Sequence, residues 1–206
     1  MDRLKKSTLV YYSLADMPIA MSLFPVAVFI PRFWTSDMGV PLVTLASIGI
    51  AVRMFDVITD PLMGYLSDHT HSRFGRRKPW VLLATPIMML SIYMLFMPSE
   101  GAGTVHFAIS SVGLSIAITM MLIPYYAWGA ELSTDYNERS RVTGGRAMAG
   151  IAGSLSAQLV PGAALLFFGI GGSSEVLMLV GTTMLVLMPI CITLCLAKVP
   201  EPQTYE

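Results

Sequence analysis

The sequence predicts an all-α membrane protein with six transmembrane helices. Three observations predict it. Hydrophobic residues make up 54% of the 206 residues and charged residues only 13%, with a mean hydropathy of +0.66, where a soluble domain carries roughly 25% charged residues. Six apolar runs each reach the ~20 residues needed to cross a hydrocarbon core ~30 Å thick. Those runs are continuous rather than alternating and about twice the length of a barrel strand, which argues against a β-barrel.

The runs are residues 9–32, 41–66, 80–97, 105–132, 142–169 and 176–197. They make 1–197 one transmembrane domain and leave 198–206 as the start of a linker or a C-terminal tail. The first run follows a basic start, as a signal peptide would. It continues to full spanning length without a small-residue cleavage site, so it reads as a retained span. The second carries Arg53, Asp56, Asp60 and Pro61. The third begins after the basic stretch 69–79, and the fourth after a Ser-Glu-Gly-Ala-Gly turn at 99–103. The fifth follows the charged stretch 133–141, and the sixth follows a Gly- and Ser-rich turn at 169–174. Cys191 and Cys195 sit four apart within that last run, on one helical face, where thiols pack as small apolar groups.

Lys and Arg set the orientation, because basic loops are retained in the cytoplasm. Arg3, Lys5, Lys6, Arg73, Arg76, Arg77, Lys78, Arg139, Arg141 and Lys198 fall on one side, and Arg32 alone on the other. Both termini are therefore expected in the cytoplasm. Net charge is zero at pH 7, and nothing in that balance points to a nucleic acid partner.

Arg53 and Arg146 are the remaining basic residues, and both fall inside spans. A charge within a membrane helix costs at least about 2.5–3.5 kcal/mol on insertion scales, so such residues are functional candidates. Arg53, Asp56 and Asp60 are spaced i, i+3, i+7 and project from one face over about two turns. Arg53 reaches Asp56, while Asp60 has no local cation. Two carboxylates sharing a low-dielectric pocket suit a coupling-ion site that holds a proton or binds Na⁺. Pro61 adds to this by freeing the Val57 carbonyl. The alternative is a structural ion pair that fastens the second span to its neighbours. Arg146 reads as a partner for an acid, as a binder of an anionic or hydroxylated solute, or as a side chain snorkelling to the headgroups. Asp16, followed by Met17 and Pro18, is either a site acid or the cap of a kinked helix.

Two separated motifs then stand out. One is Arg53-x-x-Asp56-x-x-x-Asp60-Pro61-x-x-Gly64, continuing into Ser67-Asp68-x-Thr70-x-Ser72-Arg73-x-Gly75-Arg76-Arg77-Lys78-Pro79-Trp80. The other is Ile123-Pro124-Tyr125, then Glu131-Leu132-Ser133-x-Asp135-Tyr136-Asn137-Glu138-Arg139-x-Arg141, with Arg146 beyond. On these residues the chain resembles the N-terminal half of the glycoside–pentoside–hexuronide:cation symporters of the major facilitator superfamily, the group that includes melibiose permease.

The resemblance implies the N-terminal six-helix bundle of that superfamily's fold, in a multi-pass protein of the bacterial cytoplasmic (inner) membrane. It implies that Asp56 and Asp60 bind the coupling cation, with the Thr119 hydroxyl nearby and Arg53 setting the charge balance. It also implies a cytoplasmic gate at Gly64, Asp68, Gly75, Arg76 and Arg77, whose charge contacts hold one conformation and break in the other. Tyr12, Tyr126, Trp128, Arg146 and Asp16 are candidate solute contacts. No cofactor is implied beyond the coupling Na⁺ or H⁺.

Three features depart from the family pattern. Leu122 stands where melibiose permease has an acid, Asp16 aligns loosely with its helix-one acid, and the chain has six spans where a full transporter has twelve in two halves. The expected function is cation-coupled transport of a small solute, sugar or glycoside-like, completed by a second half. That half is a C-terminal segment, another copy or another polypeptide. A non-transporting scaffold or subunit, or a lysolipid- or drug-type transporter half, is the alternative. No nucleophile elbow, phosphate loop, zinc spacing or cofactor motif points to an enzyme. His69 and His71 read as solvated loop residues rather than metal ligands.

Overall fold

The computed structural model describes residues 4–169 and 172–201. Its elements are α1 (Lys6–Leu14), α2 (Asp16–Ser36), α3 (Leu42–Asp68), α4 (Lys78–Phe96), α5 (Thr104–Glu131), α6 (Tyr136–Phe168) and α7 (Ser173–Lys198). Helices α1 and α2 together form one span, so six spans of 19–32 residues are present, each long and apolar enough to cross a bilayer. The chain is a multi-pass integral membrane protein. Residues 202–206 of the expected tail, and 170–171 of the expected turn, lie outside the described residues.

The break in the first span follows from Pro18. A proline has no N–H to give the carbonyl four residues back, here Leu14, and its ring crowds that carbonyl. The ladder slips at Ala15, whose N–H reaches the Tyr12 carbonyl at 3.3 Å. Backbone angles there remain helical (φ −66°, ψ −29°), so the interruption is local. Helix α3, by contrast, runs unbroken through Pro61.

Helix α6 begins at Tyr136 and not at residue 142. Asp135 Oδ1 accepts the backbone N–H groups of Asn137 (2.8 Å) and Glu138 (3.0 Å), which supplies an N-cap. Arg141 then pairs with Glu138 at 2.6 Å. The charged first turn is helical because it is capped and paired, a property that hydropathy does not register.

Helix α2 packs on α6 and α7, α4 packs on α5 and α7, and α3 packs on α5. The α2–α6 contact is close because of Gly153: a Cβ there would strike the Met17 carbonyl oxygen. Buried large side chains, Tyr12, Trp34, Met88, Met121, Tyr125 and Trp128 among them, fill the centre. Trp34 donates its indole N–H to the Leu95 carbonyl at 3.1 Å and lies against His106 and Phe107. Cys191 and Cys195 are buried and unbridged on α7.

The spans are unequally covered. Within their most apolar stretches, 6% of α3 and 18% of α6 is buried, against 39–50% for the other four. Val43, Ile50, Met54, Val57 and Ile58 of α3 face outward. Lipid tails are as apolar as these side chains, so a bilayer tolerates the surface that water would not.

The Leu4 N–H donates to Glu138 at 3.3 Å, and Glu201 accepts from the backbone of Arg76 and Arg77. Both described chain ends therefore lie at the same end of the bundle as the two basic connections.

Candidate functional site

Helices α3 and α5 run parallel, and their registers match. Asp56 Oδ1 accepts a short hydrogen bond from Ser115 Oγ, and Asp60 Oδ1 accepts one of 2.8 Å from Thr119 Oγ1. Both pairs are separated by 59 residues, a constant offset that only parallel helices maintain. The four-residue step repeats on each helix, so two carboxylates and two hydroxyls form a double row of oxygens. Arg53 Nη1 lies 3.5 Å from Asp56 Oδ2. Among the described residues no cation pairs with Asp60.

These groups line a cavity of about 680 Å³ between α2, α3 and α5, together with Tyr126 and a larger set of apolar side chains that includes Ile30, Leu45, Val52 and Leu122. Within this chain the pocket is open on one side. Asp60 is exposed and the Arg53 side chain is 86% exposed, because α5 covers only one side of α3. The oxygens are accessible from the cavity.

A second cluster lies beside the first. The Arg146 guanidinium stacks 3.7 Å over the Tyr126 ring, and its Nη1 is buried without a partner among the described residues. Asp16 is buried, and its carboxylate lies within the electrostatic reach of Arg146. Arg146 is thus turned toward Tyr126 and the interior of the bundle. Asp16, Arg146 and Tyr126 come together from α2, α6 and α5.

Two expected solute contacts fall elsewhere. Tyr12 is 1% exposed, stacks on Tyr125 at 4.6 Å and donates to the Tyr125 carbonyl at 2.8 Å, while Tyr125 donates to the Tyr12 carbonyl at 2.6 Å. Trp128 is fully buried and donates its indole N–H to the Pro200 carbonyl at 3.1 Å. Both are packed in the interior of this structure: α1 lies on α6 and α7, and from there the Tyr12 ring meets Tyr125 and the edge of Trp128.

At the basic end, Arg77 is 5% exposed. Its Nη2 donates to Asp68 Oδ1 at 3.0 Å and to Glu131 Oε1 at 2.6 Å, and Arg76 Nη2 reaches the same Glu131 oxygen at 2.5 Å. The connection from α3 to α4 is thus fastened to the last turn of α5. Gly75 adopts φ +103°, a region that side-chain-bearing residues avoid. Gly64 approaches α5 near Ile123, where an added Cβ would make an ordinary 3.9 Å contact.

Two members of these sites had no role assigned from sequence: Ser115, and Glu131, which entered only as part of a motif. Ser115 precedes Thr119 by the same four residues that separate Asp56 from Asp60, a repeat that was there to be found. Glu131, an acid closing an apolar span, carried a comparable signal.

The chain matches the family described as MFS/sugar transport protein over residues 11–206. It is 29% identical over 147 residues to an inner membrane symporter of Escherichia coli, covering 70% of this chain and 32% of that protein. To an isoprimeverose transporter of Lactiplantibacillus pentosus it is 25% identical over 167 residues, covering 80% of this chain and 35% of the relative. A sodium-dependent lysophosphatidylcholine symporter of Danio rerio is 32% identical over 113 residues, which is 53% of this chain and 22% of that protein. The chain spans about a third of the length of the relatives it matches. With an all-helical bundle of six spans and a match across nearly its whole length, the chain belongs to the MFS/sugar transport protein family.

Proposed function

We propose that this six-span bundle is one half of a cation-coupled solute transporter that works by alternating access, completed by a second six-helix half. The double row of oxygens from Asp56, Asp60, Ser115 and Thr119 carries this reading. Carboxylates flanked by hydroxyls supply both charge and neutral oxygen ligands, which suits a hard cation better than a proton alone. Na⁺ is therefore the favoured coupling ion and H⁺ the alternative. Arg53 balances the charge at Asp56. Tyr126, Arg146 and Asp16 contact the solute: an aromatic face and a fork of N–H donors suit a sugar ring and its hydroxyls. In this reading residues 1–197 form the transmembrane unit and 198–206 begin a linker or a C-terminal tail. The basic end faces the cytoplasm of a bacterial inner membrane, and Asp68, Gly75, Arg76 and Arg77 act as the gate.

The apolar lining around Leu122 favours a second reading of the solute, one with an alkyl or aryl portion beside its polar head. Uptake of a panel of radiolabelled sugars and alkyl glycosides tests both readings. The assay uses cells carrying the complete reading frame, energised by an imposed Na⁺ gradient or pH gradient. Uptake is expected under one gradient and lost in Asp60→Asn at equal membrane abundance. Undiminished uptake by that variant would remove Asp60 from the ion site.

A further inference from the structure

Glu201 lies just past the end of α7, yet its carboxylate sits at the start of α4. Oε1 accepts the backbone N–H groups of Arg76 (2.8 Å) and Arg77 (2.6 Å), and Oε2 accepts that of Lys78 (3.3 Å). N–H groups at a helix start have no acceptor within their own helix, and α4 has no side-chain cap at Arg77. Glu201 supplies one from more than 120 residues away. Two further bonds tie the same region together: Lys78 Nζ donates to the Leu196 carbonyl at 3.0 Å, and Trp128 donates to Pro200. Gly75 leaves room for this arrangement, since a Cβ there would occupy the space of the Glu201 carboxylate.

The residues whose backbone Glu201 holds are the ones whose side chains fasten the connection to α5. Arg76 and Arg77 both end on Glu131 Oε1. A guanidinium placed that closely depends on where its own peptide unit is held. We propose that Glu201 is a positioning residue for the α3–α4 connection. It fixes the Arg76–Lys78 backbone, aims the two guanidinium groups at Glu131, and joins the chain leaving α7 to that latch. A displacement of the segment after α7 then reaches the latch through one carboxylate. The role as part of a gate rests on the transport reading above; the mechanical link does not.

Hydrogen exchange of the full chain in nanodiscs, resolved by peptide, tests the link. In Glu201→Ala the amides of 76–78 lose a charged acceptor, and their exchange is expected to rise about tenfold or more. Exchange at the end of α5, residues 128–131 and the following Leu132, is expected to rise as well, because Arg76 and Arg77 release Glu131. Glu201→Asp should restore part of the protection at both places. Should Glu201→Ala fail to fold, Glu201→Gln keeps the side-chain shape, removes the charge and one acceptor oxygen, and is expected to give the same paired effect in smaller measure. A rise at 76–78 with no change at 128–132 reduces Glu201 to a local cap and overturns the proposal. No change at 76–78 overturns it too. The gradient-driven uptake that tests the transport reading uses none of these amides, so either result can fail alone.

Discussion

Thr119 on α5 donates a 2.8 Å hydrogen bond to Asp60 on α3, and one turn away Ser115 donates to Asp56. Each hydroxyl holds a carboxylate in place, so under the proposed ion coupling the oxygens are arranged before an ion arrives. A hydrogen bond to a charged group is worth about 1.5–3 kcal/mol. Each of Ser115→Ala and Thr119→Val is therefore expected to raise the Na⁺ dissociation constant about tenfold or more. Titrating thermal stability with Na⁺ against choline measures this, since a ligand that binds only the folded state raises the melting temperature. An unchanged midpoint in both variants would remove the hydroxyls from the site.

Under the proposed ion coupling Arg53 competes with the cation at Asp56, but its side chain is largely exposed. Exposed ion pairs contribute roughly 0.2–1 kcal/mol to stability. Arg53→Gln is expected to leave the ion-free melting temperature nearly unchanged while shifting the Na⁺ midpoint to lower concentration. A weaker Na⁺ response would mean that Arg53 supports the site rather than offsetting it.

Tyr12 and Tyr125 exchange hydrogen bonds through each other's main-chain carbonyls. Tyr12→Phe leaves the Tyr125 carbonyl without that donor in a buried place, a loss of about 1–3 kcal/mol. The melting temperature should fall, with the KM of any solute uptake unchanged. A raised KM at unaltered stability would return Tyr12 to the solute site.

Gly153 has the Met17 carbonyl against it, whereas nothing lies near Gly162 on the same helix. Gly153→Val should separate α2 from α6 and reduce the yield of monodisperse protein in detergent severalfold. Gly162→Val should not. Size-exclusion profiles of the two variants, expressed side by side, decide it.

Asp56 and Asp60 were legible in the sequence because intramembrane charge is costly and helical spacing puts i and i+4 on one face. Their partners were less visible. A serine or threonine is common in membrane helices, and only the parallel register of α3 and α5 shows which hydroxyl meets which acid. Tyr12 and Trp128 show the converse, since both are buried in this structure. Aromatic residues near a presumed cavity look like solute contacts, but their burial depends on which segments pack against them: Tyr125 against Tyr12, and Pro200 and Lys78 against Trp128.

Composition and apolar run length alone determined that this chain spans a membrane six times, because the hydrocarbon core sets a minimum length for a helix and excludes unpaired backbone. Charge placement likewise determined where a site and a latch were to be sought. Only the tertiary structure decided that Ser115 joins Thr119 beside the carboxylates and which hydroxyl meets which acid, that Glu131 receives both latch arginines, and that Glu201 caps α4. Those contacts join residues 54 to 125 positions apart. Local propensity and hydropathy describe single helices, and contacts at such separations depend on how whole helices pack.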